Sequence, residues 1–171
     1  MFGFSPMMNR LFFYPVNVLS FAALACVCVL CSCKKEQAVK NGNIEYSMLD
    51  SVNELRSRGC KCGQDSMPPV KKLVWNNILA TAAQTHAIDM YTNDYFSHIS
   101  PGGISPIQRA ISAGYTGEYI GENIAEGYAT IGDVMLAWEK SQDHCMAMMD
   151  TLYVEMGAYS DNGYWVQEFG R

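Results

Sequence analysis

YIGENIAEG, residues 119–127, places one carboxylate, Glu122, between Gly121 and Asn123 and beside apolar Ile124 and Ala125. Acidic side chains seldom sit in such company without a partner, so Glu122 calls for polar groups supplied from elsewhere in the chain. Upstream, residues 73–94 (LVWNNILATAAQTHAIDMYTND) form the strongest predicted helix, with a stripe of Trp75, Leu79, Ala82, Ala83, His86 and Met90. Pro101, Gly102 and Gly103 break the pattern, and residues 107–115 make a short helix stopped by Gly114. Residues 44–58 show a helical apolar period ended by Gly59, and residues 60–72, with Pro68-Pro69, read as a loop. Downstream, residues 131–149 read as one further helix with Val134, Ala137 and Trp138 facing inward. Residues 153–160 and 164–170 flank Asp161-Asn162-Gly163 as a β-hairpin. Helices followed by a late hairpin imply an α+β layered domain.

The chain has 171 residues, is 49% hydrophobic and 17% charged, and carries a net charge of −5. That composition suits a single packed domain and offers no basic stripe for nucleic acid. The N-terminus differs from the rest. After Arg10 come about twenty mostly apolar positions, enough to span a bilayer, and they end in LCSC, Leu30 to Cys33. This resembles a bacterial lipobox, which implies a signal peptide over 1–32, lipidation of Cys33, a polar tether over 33–43 and a folded domain over 44–171. A cleaved unlipidated leader and a retained helix are the alternatives. The Lys-Lys-Glu run after Cys33 resembles export signals of Bacteroidetes-type surface lipoproteins, which places the protein in the cell envelope, held at the outer membrane by its lipid. Of seven cysteines, Cys60, Cys62 and Cys145 then remain in an oxidising compartment, an odd number that implies one pair and one leftover thiol.

The chain has three histidines. His86 lies on the apolar face of the long helix and reads as a satisfied core residue. His98 follows the Tyr95-Phe96 pair and precedes a Pro-Gly-Gly loop, a usual setting for a site. His144 follows Ser141-Gln142-Asp143. Two imidazoles and a carboxylate suit either an open zinc site with water as fourth ligand or an acid–base group. Ser97 and Ser141 lie near these histidines, but nothing marks either as a nucleophile.

Residues 73–98, GGISPIQRAISAGY, GENIAEGY, VMLAWEKSQDHC and VEMGAY with YWVQEFG together resemble the CAP superfamily, the SCP-like or cysteine-rich secretory, antigen 5 and pathogenesis-related-1 domains. The likeness spans nearly all of 44–171, and CKCG with MPPV and LVWN resembles lipoprotein members from Bacteroidetes. It implies a three-layer α–β–α sandwich with a central cleft carrying a His–Glu–Glu–His tetrad that binds zinc or another divalent cation in some members. Carried over, the first His is His98, the first Glu is Glu122 and the last His is His144. Glu139 falls two positions from the place of the second Glu, which Ser141 occupies, so it is expected on a solvated face. The resemblance also pairs Cys62 with Cys145, closing a loop of about 84 residues that the chain-entropy model values at roughly 4–5 kcal/mol. Cys60–Cys145 is the alternative pairing. Two functions follow as expectations: a module binding a small apolar ligand or envelope component in the cleft, or a metal-dependent esterase or protease using His98, Glu122 and His144. The resemblance leaves the oligomeric state open.

Overall fold

The computed structural model describes residues 44–171 apart from Tyr46 and Tyr119. The expected signal peptide, Cys33 and the tether lie outside the described residues. A four-stranded sheet in the order β3-β5-β6-β4 forms the middle layer. Its strands are β3 (Val74–Trp75), β4 (Ile120–Glu126), β5 (Glu155–Asp161) and β6 (Tyr164–Gly170). β5 and β6 are the expected hairpin, with Asn162 and Gly163 taking the positive φ angles of its turn. β4 pairs antiparallel with β6 along its whole length and forms one edge of the sheet.

Strand alternation sorts the two faces. Ala125, Met156, Ala158, Trp165 and Phe169 join a methionine-rich core built with a helix over residues 47–58 (α1), Ile131–Lys140 (α4) and Gln142–Met149 (α5). Ile124 and Val166 face the other way, onto Ala83, Ala87 and Met90 of α2 (Asn77–Asn93), while the nearby Leu79 and Ala82 of α2 meet Ala110 of α3 (Pro106–Ser112). The small residues of α2 let it lie close on the sheet: a Cβ at Gly157 of β5 would strike the Ala80 backbone nitrogen. The layers are thus α–β–α, as expected.

Three local expectations are corrected. The long helix starts at Asn77, because Asn76 caps it by accepting from the N–H groups of Ile78 and Leu79. Trp75 therefore leaves the helical stripe and joins β3, which pairs parallel with β5. The segment 60–72 is not wholly loop: β1 (Cys60–Cys62) and β2 (Asp65–Met67) form a small antiparallel hairpin there. Finally, the helix expected over 131–149 is two helices, broken by the extended backbone of Ser141. The apolar period runs across that break, which hid it.

Candidate functional site

The site gathers at the β4 edge of the sheet. Glu122 points to the α2–α3 face, and its side chain is buried. Each of its oxygens has its own cation or donor. Oε1 accepts from His98 Nδ1 at 2.7 Å, and Oε2 accepts from Arg109 Nη2 at 2.6 Å. A carboxylate oxygen can only accept, so Nδ1 of His98 carries the hydrogen and Nε2 is left as the outward acceptor. Burial works to raise the Glu122 pKa. The His98 hydrogen bond and the charge of Arg109 outweigh it and hold the carboxyl below its ordinary range.

His98 lies in the segment between α2 and α3, with its ring half exposed. Asp94 ends α2 in the left-handed conformation, and three interactions then fix the segment. Tyr95 donates to Asp89, His86 Nε2 donates to Ser97 O at 3.0 Å, and Arg109 Nη2 donates to His98 O at 3.0 Å. Arg109 also holds Ile104 O through Nη1. One guanidinium on α3 therefore pins both ends of the loop that presents His98, as well as the carboxylate that orients it. His86 is fully buried, as a core histidine should be, and burial lowers its pKa. Its Nε2 also lies 3.8 Å from Glu122 Oε2, so it lines the back of the site as well as packing.

Behind Glu122, directly across the β4–β6 ladder, stands Glu168. It is fully buried, Arg109 Nε lies 3.9 Å from Oε1, and its carboxyl lies in hydrogen-bond reach of Glu122, to which a protonated acid can donate. Burial, then the charge of Glu122, push its pKa well above the usual carboxylate range, and Arg109 offsets this only in part.

His144 reaches the same edge from the opposite layer. Asn123, the neighbour of Glu122 that faces the other way, donates to His144 O at 3.2 Å and to Gln167 Oε1. His144 Nδ1 lies 2.9 Å from Ser141 Oγ. Burial and the nearby charge of His98 lower the His144 pKa. Between the histidine-bearing segments a cavity of 420 Å³ is lined by Phe96, Ile124, Tyr128, Ala137, Trp138 and His144 among others. Glu139 lies elsewhere, bonded at 2.7 Å to Arg58 of α1. Cys62 and Cys145 are joined, with Cα atoms 5.3 Å apart, which ties the β1–β2 hairpin to α5 just beyond His144.

Each ring has its Nδ1 engaged, His98 by Glu122 and His144 by Ser141, which leaves Nε2 as the nitrogen a cation could use. Both Glu122 oxygens are already occupied, so Glu122 orients His98. Among the described residues, His98, Glu122 and His144 do not come together as a three-donor group.

The model of the cysteine-rich secretory protein family, CAP, matches residues 49–169. The chain belongs to the CAP family. An uncharacterized membrane protein of Bacillus subtilis, YlbC, is 33% identical over 73% of this chain and 34% of its own length. A second B. subtilis protein, YkwD, is 32% identical over 58% of this chain and 40% of its own length. The chain thus spans well under half of either relative. Among solved structures, an extracellular SCP-domain protein of Bacillus anthracis superposes with a TM-score of 0.63 at 24% identity, covering 78% of this chain and 43% of that one. An outer surface protein of Borrelia burgdorferi gives 0.62 at 23% identity, covering 77% and 92%. These two likenesses establish the CAP fold.

Sequence reasoning missed Arg109 and Glu168. For Arg109 a signal existed, since it sits next to Ala110 on the short helix, whereas the burial of Glu168 follows from the place of β6 inside the sheet.

Proposed function

We propose that this is a cell-envelope CAP protein, lipid-anchored through Cys33 at the outer membrane, whose cleft binds a small, mostly apolar ligand or envelope component. The observation that carries the reading is the 420 Å³ cavity, whose wall is aromatic and aliphatic apart from Glu126, Ser141 and His144. Its size and lining suit a small apolar body with one polar group, which an imidazole nitrogen would meet. The membrane, extracellular and outer-surface descriptions of the relatives support the location. To test the binding, the full chain is purified from membranes in detergent and its co-purifying small molecules are extracted for mass spectrometry. Ala137→Trp fills the cavity from α4 and should remove a species that wild type retains. Identical extracts from the two folded proteins would refute the reading.

A second reading has one observation in its favour. The Glu122–His98 pair is arranged as a base with its orienter, leaving Nε2 free toward solvent or a bound cation. A weakly held zinc ion at His98 and His144 would supply Lewis acidity there for ester or peptide hydrolysis. Hydrolysis of p-nitrophenyl esters that disappears in His98→Ala would favour it.

A further inference from the structure

The cleft does not use Cys60. β1 places Cys60 and Cys62 two residues apart, so both side chains leave the same face of the strand, toward Cys145 of α5. Cys60 Sγ lies 3.6 Å from Cys145 Sγ and 3.8 Å from Cys62 Sγ. Cys62 and Cys145 are fully buried, and Cys60 is half-buried.

Near-equal distances put the thiol beside the disulfide and not on its axis. A displacing thiolate attacks along that axis, which would set it about 2 Å farther from the leaving sulfur than from the one attacked. Burial, and then the charge of Glu139, also raise the Cys60 pKa, with Arg58 opposing, so little thiolate is present to attack. The placement is poor for exchange. Two of the three spacings already suit chelation: sulfurs about 2.3 Å from a tetrahedral zinc ion stand roughly 3.8 Å from one another, and only the bonded pair, Cys62 and Cys145, would have to part.

We propose that Cys60, Cys62 and Cys145 form a latent three-thiolate site for a soft divalent cation of the zinc class, closed while the Cys62–Cys145 bond stands and opened by its reduction. A dithiol reductant would deliver two electrons and two protons to the bond. This yields two cysteine thiols and the oxidised, cyclic form of the reductant. The cation then forms three metal–sulfur bonds as three thiol protons pass to solvent, and water fills the fourth position. Arg58 lies close to Cys60 but is paired with Glu139, so the net negative charge that three thiolates and a dication leave is met mainly by solvent at the half-buried Cys60 side. The site makes the bond between the hairpin and α5 replaceable: a covalent tie under oxidising conditions, a metal tie under reducing ones.

The full chain in detergent tests this after reduction with a phosphine, anaerobic removal of the reductant and titration with cobalt(II) alone. Sulfur-to-cobalt charge transfer reports thiolate ligation specifically, so binding at His98 and His144 does not register. Reduced wild type should take up one cobalt per chain with tetrahedral ligand-field bands. The disulfide form should show no charge transfer. Cys60→Ala should bind at least about tenfold more weakly, with about a third of the charge-transfer intensity lost. His98→Ala should leave the band intact, which separates the outcome from the fate of the cleft. Equal affinity and intensity in reduced wild type and Cys60→Ala would overturn the site. So would a reduced chain that shows no charge transfer at millimolar cobalt, or one that loses its near-ultraviolet circular dichroism and does not regain it with the metal.

Discussion

Two buried arginines, Arg56 and Arg109, lie in opposite layers of the sandwich and solve the same problem differently. Arg56 on α1 spends its donors on main-chain carbonyls: Lys71 O, Met148 O, Asp150 O and Tyr153 O. Burial lowers its pKa, with Asp150 opposing. These contacts knit α1 to the segment before β3, to the end of α5 and to the segment that leads into β5, and the guanidinium itself is buried. Arg109 on α3 meets two carbonyls of one loop and two acids, Glu122 directly and Glu168 at 3.9 Å. A buried cation held by carbonyls is architecture. A buried cation between two acids, one of which orients an exposed imidazole, is the base of a site.

The comparison can be broken by removing each guanidinium. Arg56→Met removes the donors that serve four carbonyl oxygens, two through buried and two through part-buried bonds, and at about 1–3 kcal/mol for a buried acceptor and less for the others, the expected loss is roughly 4 kcal/mol. Carbonyls do not titrate, so urea denaturation should find the same deficit from pH 5 to pH 8. Arg109→Met should cost about 3–5 kcal/mol at pH 7, the usual penalty for an uncompensated buried charge. Here the stranded group can take up a proton. Without Arg109 the folded pKa of Glu122 rises from its lowered position, so the variant's carboxyl takes up its proton at a higher pH than that of wild type. The deficit of Arg109→Met relative to wild type should therefore shrink on acidification. Parallel pH profiles for the two variants would erase the distinction drawn between the arginines.

The parts of this molecule legible in the sequence are those set by repeating patterns. The apolar periods of α1, α2 and α3 and the Asp-Asn-Gly turn of the β5–β6 hairpin are local signals. β3 was not legible because two residues carry no period. β4 was not because GENIAE mixes glycine, asparagine and acids in a strand whose partner alone explains it. At the site, the lone carboxylate in an apolar run marked Glu122 as needing partners, and the CAP resemblance brought His98 and His144 to the cleft. Arg109, the partner with the strongest charge, carries no such mark, because its place beside Ala110 does not by itself distinguish a cation on a short helix that turns inward from one that meets solvent. Glu168 was hidden for a different reason. Its burial follows from β6 being the inner strand between β5 and β4, a fact of topology that no single segment contains.

Glu168 also offers the finest test of the arginine comparison, because it asks whether the acid behind Glu122 is carried as a charge or as a neutral group. The groups facing it are Glu122 across the ladder and Arg109 from α3, with His86 of α2 beyond Glu122. Its folded pKa is raised, so the folded state holds a proton that the unfolded chain gives up near the ordinary value of about 4.3. Wild type should then lose stability from this group as pH rises from that value toward the folded pKa. Glu168→Gln keeps the shape and cannot ionise. Near pH 4 the variant should lie within about 1 kcal/mol of wild type, as a volume-conserving swap of one neutral group for another. As pH rises toward 8 it should overtake wild type, and calorimetric Tm values across that range would show the crossing. If Glu168→Gln instead lost ground steadily with rising pH, the carboxylate would be ionised and paired with Arg109. The guanidinium would then be shared between two charges, and Glu122 would hold His98 less firmly than its 2.7 Å hydrogen bond implies.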